Sequence, residues 1–281
     1  MIDANDIIKN IKSQLYKKGY KIDDREEIKV VHDTLVRSGM PIQNFLMQLQ
    51  NLTLIKDTTK DFGVGGYNPK TNTITYVNDE DLIHELFHVA ATENDGKSTG
   101  ITIYEEGVQE DDEDDYVKSN YGLDEGITDM FSEMANNQVP CGYPFEKLCA
   151  ETLRQIFGLQ VFTGHFKNSY EKFVAGFPEE VQVDIVDLIY NLDEYNDLTK
   201  SIYSGDAFPE DVQSLEDITE SIIRSLVTIC ETVEKDKNQI IEFLNEKVHD
   251  PKIQSIRELI KLDNAVASLG NKTLYNIKST F

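Results

Sequence analysis

The sequence is poor in basic residues, cysteines and long apolar runs. Its 281 residues include 27 Lys and Arg against 51 Asp and Glu, which gives a formal net charge of −24. This balance argues against binding to nucleic acid, whose phosphates require a lysine- and arginine-rich surface, and against binding to an anionic membrane. Hydrophobic residues make up 40% of the chain, which is enough for a folded core and too many for a disordered acidic protein.

The cysteines and the apolar stretches exclude further classes of protein. Cys141, Cys149 and Cys230 are an odd number without a CxxC pair, so we expect reduced thiols rather than a disulfide framework or a zinc knuckle. No stretch approaches the roughly 18 apolar residues of a membrane span. The first residues also lack the apolar run of a signal peptide. These absences predict a cytoplasmic protein.

Three common functional motifs are absent as well. Gly63, Gly65 and Gly66 form neither a GxGxxG nor a Walker A loop, and no GxSxG segment occurs. Nucleotide binding and serine-hydrolase chemistry are therefore disfavoured.

Apolar spacing predicts helices over most of the chain, both in the first sixty residues and after Pro140. Between them, Thr73–Val77 is β-branched or aromatic throughout and follows turn residues, which predicts the second strand of a hairpin. The helical stripes are Ile7, Ile11 and Leu15; Ile28, Val31 and Leu35; Phe45, Leu49 and Leu52; Val181, Ile185, Leu188 and Leu192; Ile218, Ile222, Leu226 and Ile229; and Ile253, Ile256, Leu259 and Ile260.

One segment after the predicted strand carries residues that bind metals. Asn78 is suited to cap a helix, and acidic residues 79–81 favour its positive end. On that helix His84 and His88 are four residues apart, so both imidazoles project from one face and can reach one zinc ion. Glu85 is offset by one residue, where it can accept a proton from a metal-activated water without ligating.

A hydrolytic zinc site also needs a third protein ligand. A metzincin would place a glycine three residues and a histidine six residues after the second histidine, but these positions are Ala91 and Asn94. Glu125 follows His88 by 37 residues and lies four residues before Asp129, so the two carboxylates share one face of a predicted helix. One can ligate while the other accepts the free N–H of a ligating histidine.

These two motifs resemble those of the gluzincin zinc metallopeptidases, the thermolysin-like enzymes. The first is the HExxH segment His84 to His88, and the second is the segment Asp124 to Asp129, DEGITD. The resemblance implies that His84, His88 and Glu125 bind zinc, that Glu85 is the general base, and that Asp129 bonds His84. It also implies that Thr73–Val77 is the sheet edge to which an extended peptide substrate adds.

Thermolysin-like enzymes also use a tyrosine and a histidine that donate hydrogen bonds to the oxyanion. The spacing of this chain does not choose among its candidates. They are Tyr104, Tyr116, Tyr121, Tyr143, His165 and Tyr170. A single histidine such as His165 is more typical of an ordinary core or surface residue, and so are His32 and His249.

An acidic segment lies between the two motifs. From Glu105 to Asp129, eleven residues are acidic and only Lys118 is basic, which places −10 of the net −24 in 25 residues. Three interpretations are open for the part from 105 to 115: a solvated loop, a field that favours basic substrate segments, and a calcium site without the EF-hand pattern.

The expected fold is α+β and predominantly α, with a small mixed sheet beside the HExxH helix, a helical C-terminal subdomain, and a cleft between them. The expected regions are 1–60, helical; 61–118, with the sheet, the HExxH helix and the acidic loop; and 119–281, helical with the third zinc ligand.

We expect a zinc-dependent peptidase acting on a peptide or protein, with no nucleic-acid or membrane partner. The alternatives are a protease dedicated to one regulatory protein and a non-catalytic zinc protein whose helical half binds a partner. The substrate, endo- or exopeptidase action and the oligomeric state stay open.

Overall fold

The computed structural model describes residues 25–57, 65–93, 98–106, 116–137, 142–204 and 209–248. No helix in these ranges is long and apolar enough to cross a lipid bilayer. Several predicted features lie outside the described residues. They are the helices around Ile7 and Ile253, Gly63, Asn94, Cys141, His249 and the acidic residues 107–115.

Helices dominate the described residues, and the fold is α+β with a small mixed sheet, as predicted. Pro144 and Pro209 are the first residues of their helices, where a missing N–H costs nothing. The α-helices in the described ranges are α1 Glu26–Ser38, α2 Gln43–Gln48, α3 Asp79–Ala90, α4 Tyr121–Ala135, α5 Pro144–Phe157, α6 Tyr170–Val174, α7 Gln182–Ser204, α8 Pro209–Thr232 and α9 Lys237–Val248. Short 3-10 helices span Leu159–Thr163, His165–Lys167 and Glu179–Val181.

The first sheet contains the predicted hairpin. Its strands are β1 Thr53–Lys56, β2 Gly66–Asn68 and β3 Thr73–Tyr76. β2 and β3 pair antiparallel, which confirms the hairpin, and β1 pairs with β3 in parallel, which makes the sheet mixed.

Two expectations about this sheet were wrong. Thr73–Val77 was expected to be the edge, but β3 is the central strand in the order β1-β3-β2. The strand on its far side is β1, in a segment expected to be helical because Leu52 continues the spacing of Phe45 and Leu49. The helix α2 instead ends at Gln48, and the β-branched residues after Leu52 enter the sheet.

A second sheet was not predicted. It is antiparallel, in the order β4-β5-β6, with β4 Ser98–Thr99, β5 Thr102–Glu106 and β6 Tyr116–Ser119. The expected acidic loop therefore begins within a strand, since Glu105 and Glu106 lie in β5. The β-branched and aromatic residues Ile101 to Tyr104 are a signal for β5 that was overlooked.

By its contacts the chain divides into two units. The first unit consists of the described residues within 25–119, 128–142 and 159–176. The second unit consists of the described residues within 120–127, 143–158 and 177–248. The helix α4 is continuous through residue 127 and contributes to both. The three expected regions and the cleft stay predictions.

The core of the first unit joins α3 to the later turns of α4. Phe87 and Phe131 are fully buried, and their ring centroids are 6.0 Å apart. Phe131 also packs edge-to-face on Phe166, at 4.8 Å, and on Phe162, at 6.2 Å. Such aromatic pairs stabilise a core by burial and by their favourable edge-to-face geometry. This packing fixes the helix surfaces that carry His84 and Asp129.

The core of the second unit contains the two predicted stripes of the C-terminal half. Val181, Ile185, Leu188 and Leu192 are fully buried along α7 and the turn before it. The stripe of α8 is buried as well, and consists of Ile218, Ile222, Leu226 and Ile229. Cys149 and Cys230 are buried thiols, as expected for a reduced protein.

Candidate metal centre

Local sequence determines where the HExxH helix begins. The side chain of Asn78 accepts a hydrogen bond from the amide of Asp81 at 2.8 Å, and the Asp81 carboxylate accepts one from the amide of Asn78 at 3.4 Å. This reciprocal capping box satisfies two amides that the first turn leaves without a helical partner. Because the start of α3 is fixed, so is the face on which His84 and His88 lie.

Three side chains of the described residues form a group that could hold a metal ion. They are His84 and His88 of α3 and Glu125 of α4, whose ligand atoms all lie within 4.8 Å of one another. The Nε2 atoms of the two histidines are 3.2 Å apart. Two nitrogens at about 2.0–2.1 Å from a tetrahedral zinc ion would be about 3.3 Å apart, so the spacing fits such an ion. The two imidazoles and the carboxylate are also a donor set that zinc accepts.

Asp129 is hydrogen-bonded to the first of these candidate ligands. Its Oδ1 lies 2.9 Å from Nδ1 of His84, and its side chain is only 1% exposed. A carboxylate at this position favours the tautomer in which Nδ1 carries the proton, which leaves the lone pair on Nε2. The predicted pairing of Asp129 with His84 is therefore present.

Glu85, the neighbour of His84 in the sequence, is buried, with 5% of its surface exposed. It does not belong to the group of potential ligands found among the described residues. Its Cγ would lie 3.3 Å from a Cβ added to Gly65, which precedes β2. A carboxylate that is near a metal but does not ligate can take and return protons.

The hydroxyl of Tyr121, one of the oxyanion candidates, is bonded to residues of α7. It donates to Asp197, and Nζ of Lys200 donates to it at 3.1 Å. Burial, followed by this bond to Asp197, raises the pKa of Tyr121 well above its ordinary value. We therefore remove Tyr121 from the candidates.

The remaining oxyanion candidates lie in several elements, and their role stays a prediction. His165 is fully buried with its ring 4.7 Å from Phe166, as expected for a core histidine. Tyr104 lies in β5, Tyr116 begins β6, Tyr143 immediately precedes α5 and Tyr170 begins α6.

Sequence reasoning missed two residues that contact the motif elements. Gly65 was considered only as part of a phosphate loop, whereas its backbone passes close to Glu85. Asp193, on α7, accepts hydrogen bonds from the amides of Asn120 and Gly122 at the start of α4. Burial is the largest influence on Asp193 and raises the pKa of its carboxyl to about 6, although these backbone bonds act in the opposite direction. Nothing in the sequence connects a residue of α7 with a helix that begins about seventy positions earlier.

Comparison with protein-family models, with curated proteins and with solved structures gives no match.

Proposed function

We propose that this chain is a zinc-dependent peptidase of gluzincin type that acts in a reducing compartment such as the cytoplasm. The observation that carries the proposal is the joint placement of His84, His88 and Glu125, with Asp129 bonded to His84. The buried thiols Cys149 and Cys230 support the compartment.

In the proposed reaction the protein residues hold the metal and move one proton. Zinc, when bound by His84, His88 and Glu125, supplies Lewis-acid chemistry that acidifies a water and polarises a peptide carbonyl. Glu85 accepts the proton of the attacking water and returns it to the leaving amine. Its burial shields the carboxylate from bulk water, so protons are exchanged with the reacting groups rather than with solvent.

We also propose that the substrate adds to β2 rather than to β3. β3 is paired on both sides, whereas the described residues place no strand on the outer side of β2. β2 follows Gly65, whose backbone lies against Glu85. An extended peptide paired with β2 would therefore run past the proposed general base. The absence of a side chain at Gly65 lets α3 pack against this backbone, because a Cβ there would lie 3.3 Å from atoms of both Asp81 and Glu85.

The alternative is a non-catalytic protein in which zinc is structural. Glu85 argues against it, because a structural site is closed by four ligands and has no use for a buried carboxylate that does not ligate. The protease dedicated to one regulatory protein uses the same chemistry and differs only in its substrate.

The test combines metal analysis with peptide cleavage. Full-length protein is loaded with zinc, and its zinc content and its cleavage of a mixed peptide library are measured by mass spectrometry. We expect one zinc per chain, loss of zinc in Glu125→Gln, and loss of cleavage with retained zinc in Glu85→Gln. Matched controls are Glu133→Gln, two turns further along α4, and Glu93→Gln, which is exposed after α3. Zinc binding with cleavage unaffected by Glu85→Gln would favour the structural alternative, and absence of zinc would overturn both.

A further inference from the structure

The first turn of α4 is held by one carboxylate of α7. The Oδ2 atom of Asp193 accepts a hydrogen bond from the amide of Asn120, and Oδ1 accepts one from the amide of Gly122 at 2.8 Å. The first amides of a helix have no partner within the helix, and a negative charge at this end is favourable. Asn120 has a φ of 63°, so the chain turns sharply into the helix at the point where Asp193 binds it.

The same region of α7 meets α4 at backbone distance. A Cβ built on Gly122 would lie 2.6 Å from the carbonyl oxygen of Leu192, the neighbour of Asp193. One turn later, a Cβ on Gly126 would lie 2.3 Å from the carbonyl oxygen of Glu146 on α5. Both distances are too short for any real side chain. Two glycines on one helix face therefore allow α4 to approach α7 and α5 as closely as backbones can.

A second link joins the same two helices. The hydroxyl of Tyr121 donates to Asp197, which lies one turn after Asp193 on α7. Nζ of Lys200 lies 4.2 Å from the ring centroid of Tyr121, where a cation is attracted by the aromatic face. The hydrogen bonds, the glycine contacts and this link all hold the first two turns of α4.

Glu125 lies within those two turns, between Gly122 and Gly126. We propose that Asp193 is a positioning residue for the metal centre, because by holding the amides of Asn120 and Gly122 it sets the axial and rotational position of Glu125. The inference rests on the proposed function, in which Glu125 is a metal ligand. A ligand displaced by a fraction of an ångström binds its metal less well. Loss of the hydrogen bonds from Asp193 should therefore measurably lower the affinity for the metal.

The test replaces Asp193 and measures metal binding with Co²⁺ as a spectroscopic substitute for zinc. Asp193→Asn keeps the size of the side chain but offers one acceptor oxygen, so one amide of α4 would face an NH₂ group. In the full-length protein, freed of metal and titrated with Co²⁺, we expect the dissociation constant to rise about tenfold. We also expect the visible ligand-field spectrum to change, because it reports the geometry of the ligands. Circular dichroism establishes that the variant is folded.

Asp236→Asn is the matched control. Asp236 precedes α9 and accepts one hydrogen bond, from the amide of Asn238 at 2.9 Å, and asparagine keeps the one acceptor oxygen that this bond needs. The same change of charge at the start of another helix should therefore leave stability nearly unchanged and Co²⁺ affinity and the spectrum at their wild-type values. If Asp193→Asn does not fold, Asp193→Glu serves instead, because it keeps both acceptor oxygens and displaces them by one methylene. For that variant we expect a smaller loss of affinity and a smaller spectral change.

Wild-type affinity and spectrum in the folded Asp193 variants would overturn the positioning role alone, provided that Glu125→Gln weakens binding. If Glu125→Gln binds Co²⁺ as tightly as the wild type, or the wild type binds none, the metal centre itself is wrong and the positioning role fails with it.

Discussion

The two helices of the candidate site are specified in different ways. The start of α3 depends on residues three positions apart, since Asn78 and Asp81 cap each other's amides. The start of α4 depends on Asp193, which lies 71 positions after Gly122 and accepts its amide. One helix is therefore fixed by local sequence and the other by tertiary contacts.

The two helices carry different residues of the candidate site. The histidines and Glu85 lie on the locally specified helix, where spacing alone places them on one face. Glu125 lies on the helix whose position depends on other elements. Short-range signals therefore predict which residues of α3 belong to the candidate site, and long-range packing determines the position of Glu125, the proposed third ligand.

The largest effect is expected where α4 meets another backbone. Alanine normally stabilises a helix relative to glycine by about 1 kcal/mol. At Gly126, however, the added Cβ would lie 2.3 Å from the carbonyl oxygen of Glu146, so we expect Gly126→Ala to lower the free energy of unfolding by about 3 kcal/mol. Urea denaturation measures the change. Gly66→Ala is the control, because nothing lies within 4 Å of its Cβ position, and stability there should not fall comparably. A stabilised Gly126→Ala would mean that α4 is specified locally after all.

This contrast explains how much of the fold could be predicted from the sequence. The capping residue and the HExxH spacing depend on short intervals, and both are found. The pairing of Asp129 with His84, 45 positions apart, was implied by the family resemblance and is found as well. The apolar stripes of α7 and α8 were correct because helical periodicity is a strong signal over several turns.

The wrong predictions about the first sheet share one physical cause, which is that strand pairing depends on residues distant in sequence. β3 was expected from the family resemblance to be an edge strand, and β1 was not recognised because the four residues of β1 follow a helix without a break in apolar spacing. Short strands carry little periodic signal, and which strand lies beside which is decided by contacts distant in sequence. The role of Asp193 was missed for the same reason.

A large effect on metal binding is expected from Asp129→Asn. The neutral amide keeps the size of the carboxylate but no longer favours a proton on Nδ1 of His84, so we expect zinc affinity to fall about 10- to 100-fold. Competition with a chromophoric chelator measures it. Asp33→Asn is a close control, because Asp33 lies 3.2 Å from Nδ1 of His32, outside the metal group. Equal losses in the two variants would show that the effect is not specific to the site.

A moderate effect is expected from removal of the α3 cap. Asn78→Ala deletes the acceptor of the Asp81 amide, and we expect a loss of about 1 kcal/mol in the free energy of unfolding. Asn78→Ser should restore most of it, because serine caps helices about as well. In the double variant with Asp193→Asn the two losses should add, since the two caps share no partner. Strong coupling between them would contradict the separation of local from tertiary specification.

The smallest effect concerns the pH dependence of the α4 cap. Burial raises the pKa of Asp193 from 3.8 to about 6, with Asp197 also raising it and the backbone bonds of Gly122 and Asn120 lowering it. Between these two pH values the folded protein keeps a proton that the unfolded chain releases, so this group's contribution to stability falls as pH rises from about 4 to 6. The unfolding free energy of the wild type minus that of Asp193→Asn, measured in urea with a chelator present, should therefore fall over this range and level off above it. The corresponding difference for Asn78→Ala should stay flat, because Asn78 does not titrate. A difference for Asp193 that rises with pH would show instead that the backbone hydrogen bonds to the ionised carboxylate outweigh its burial.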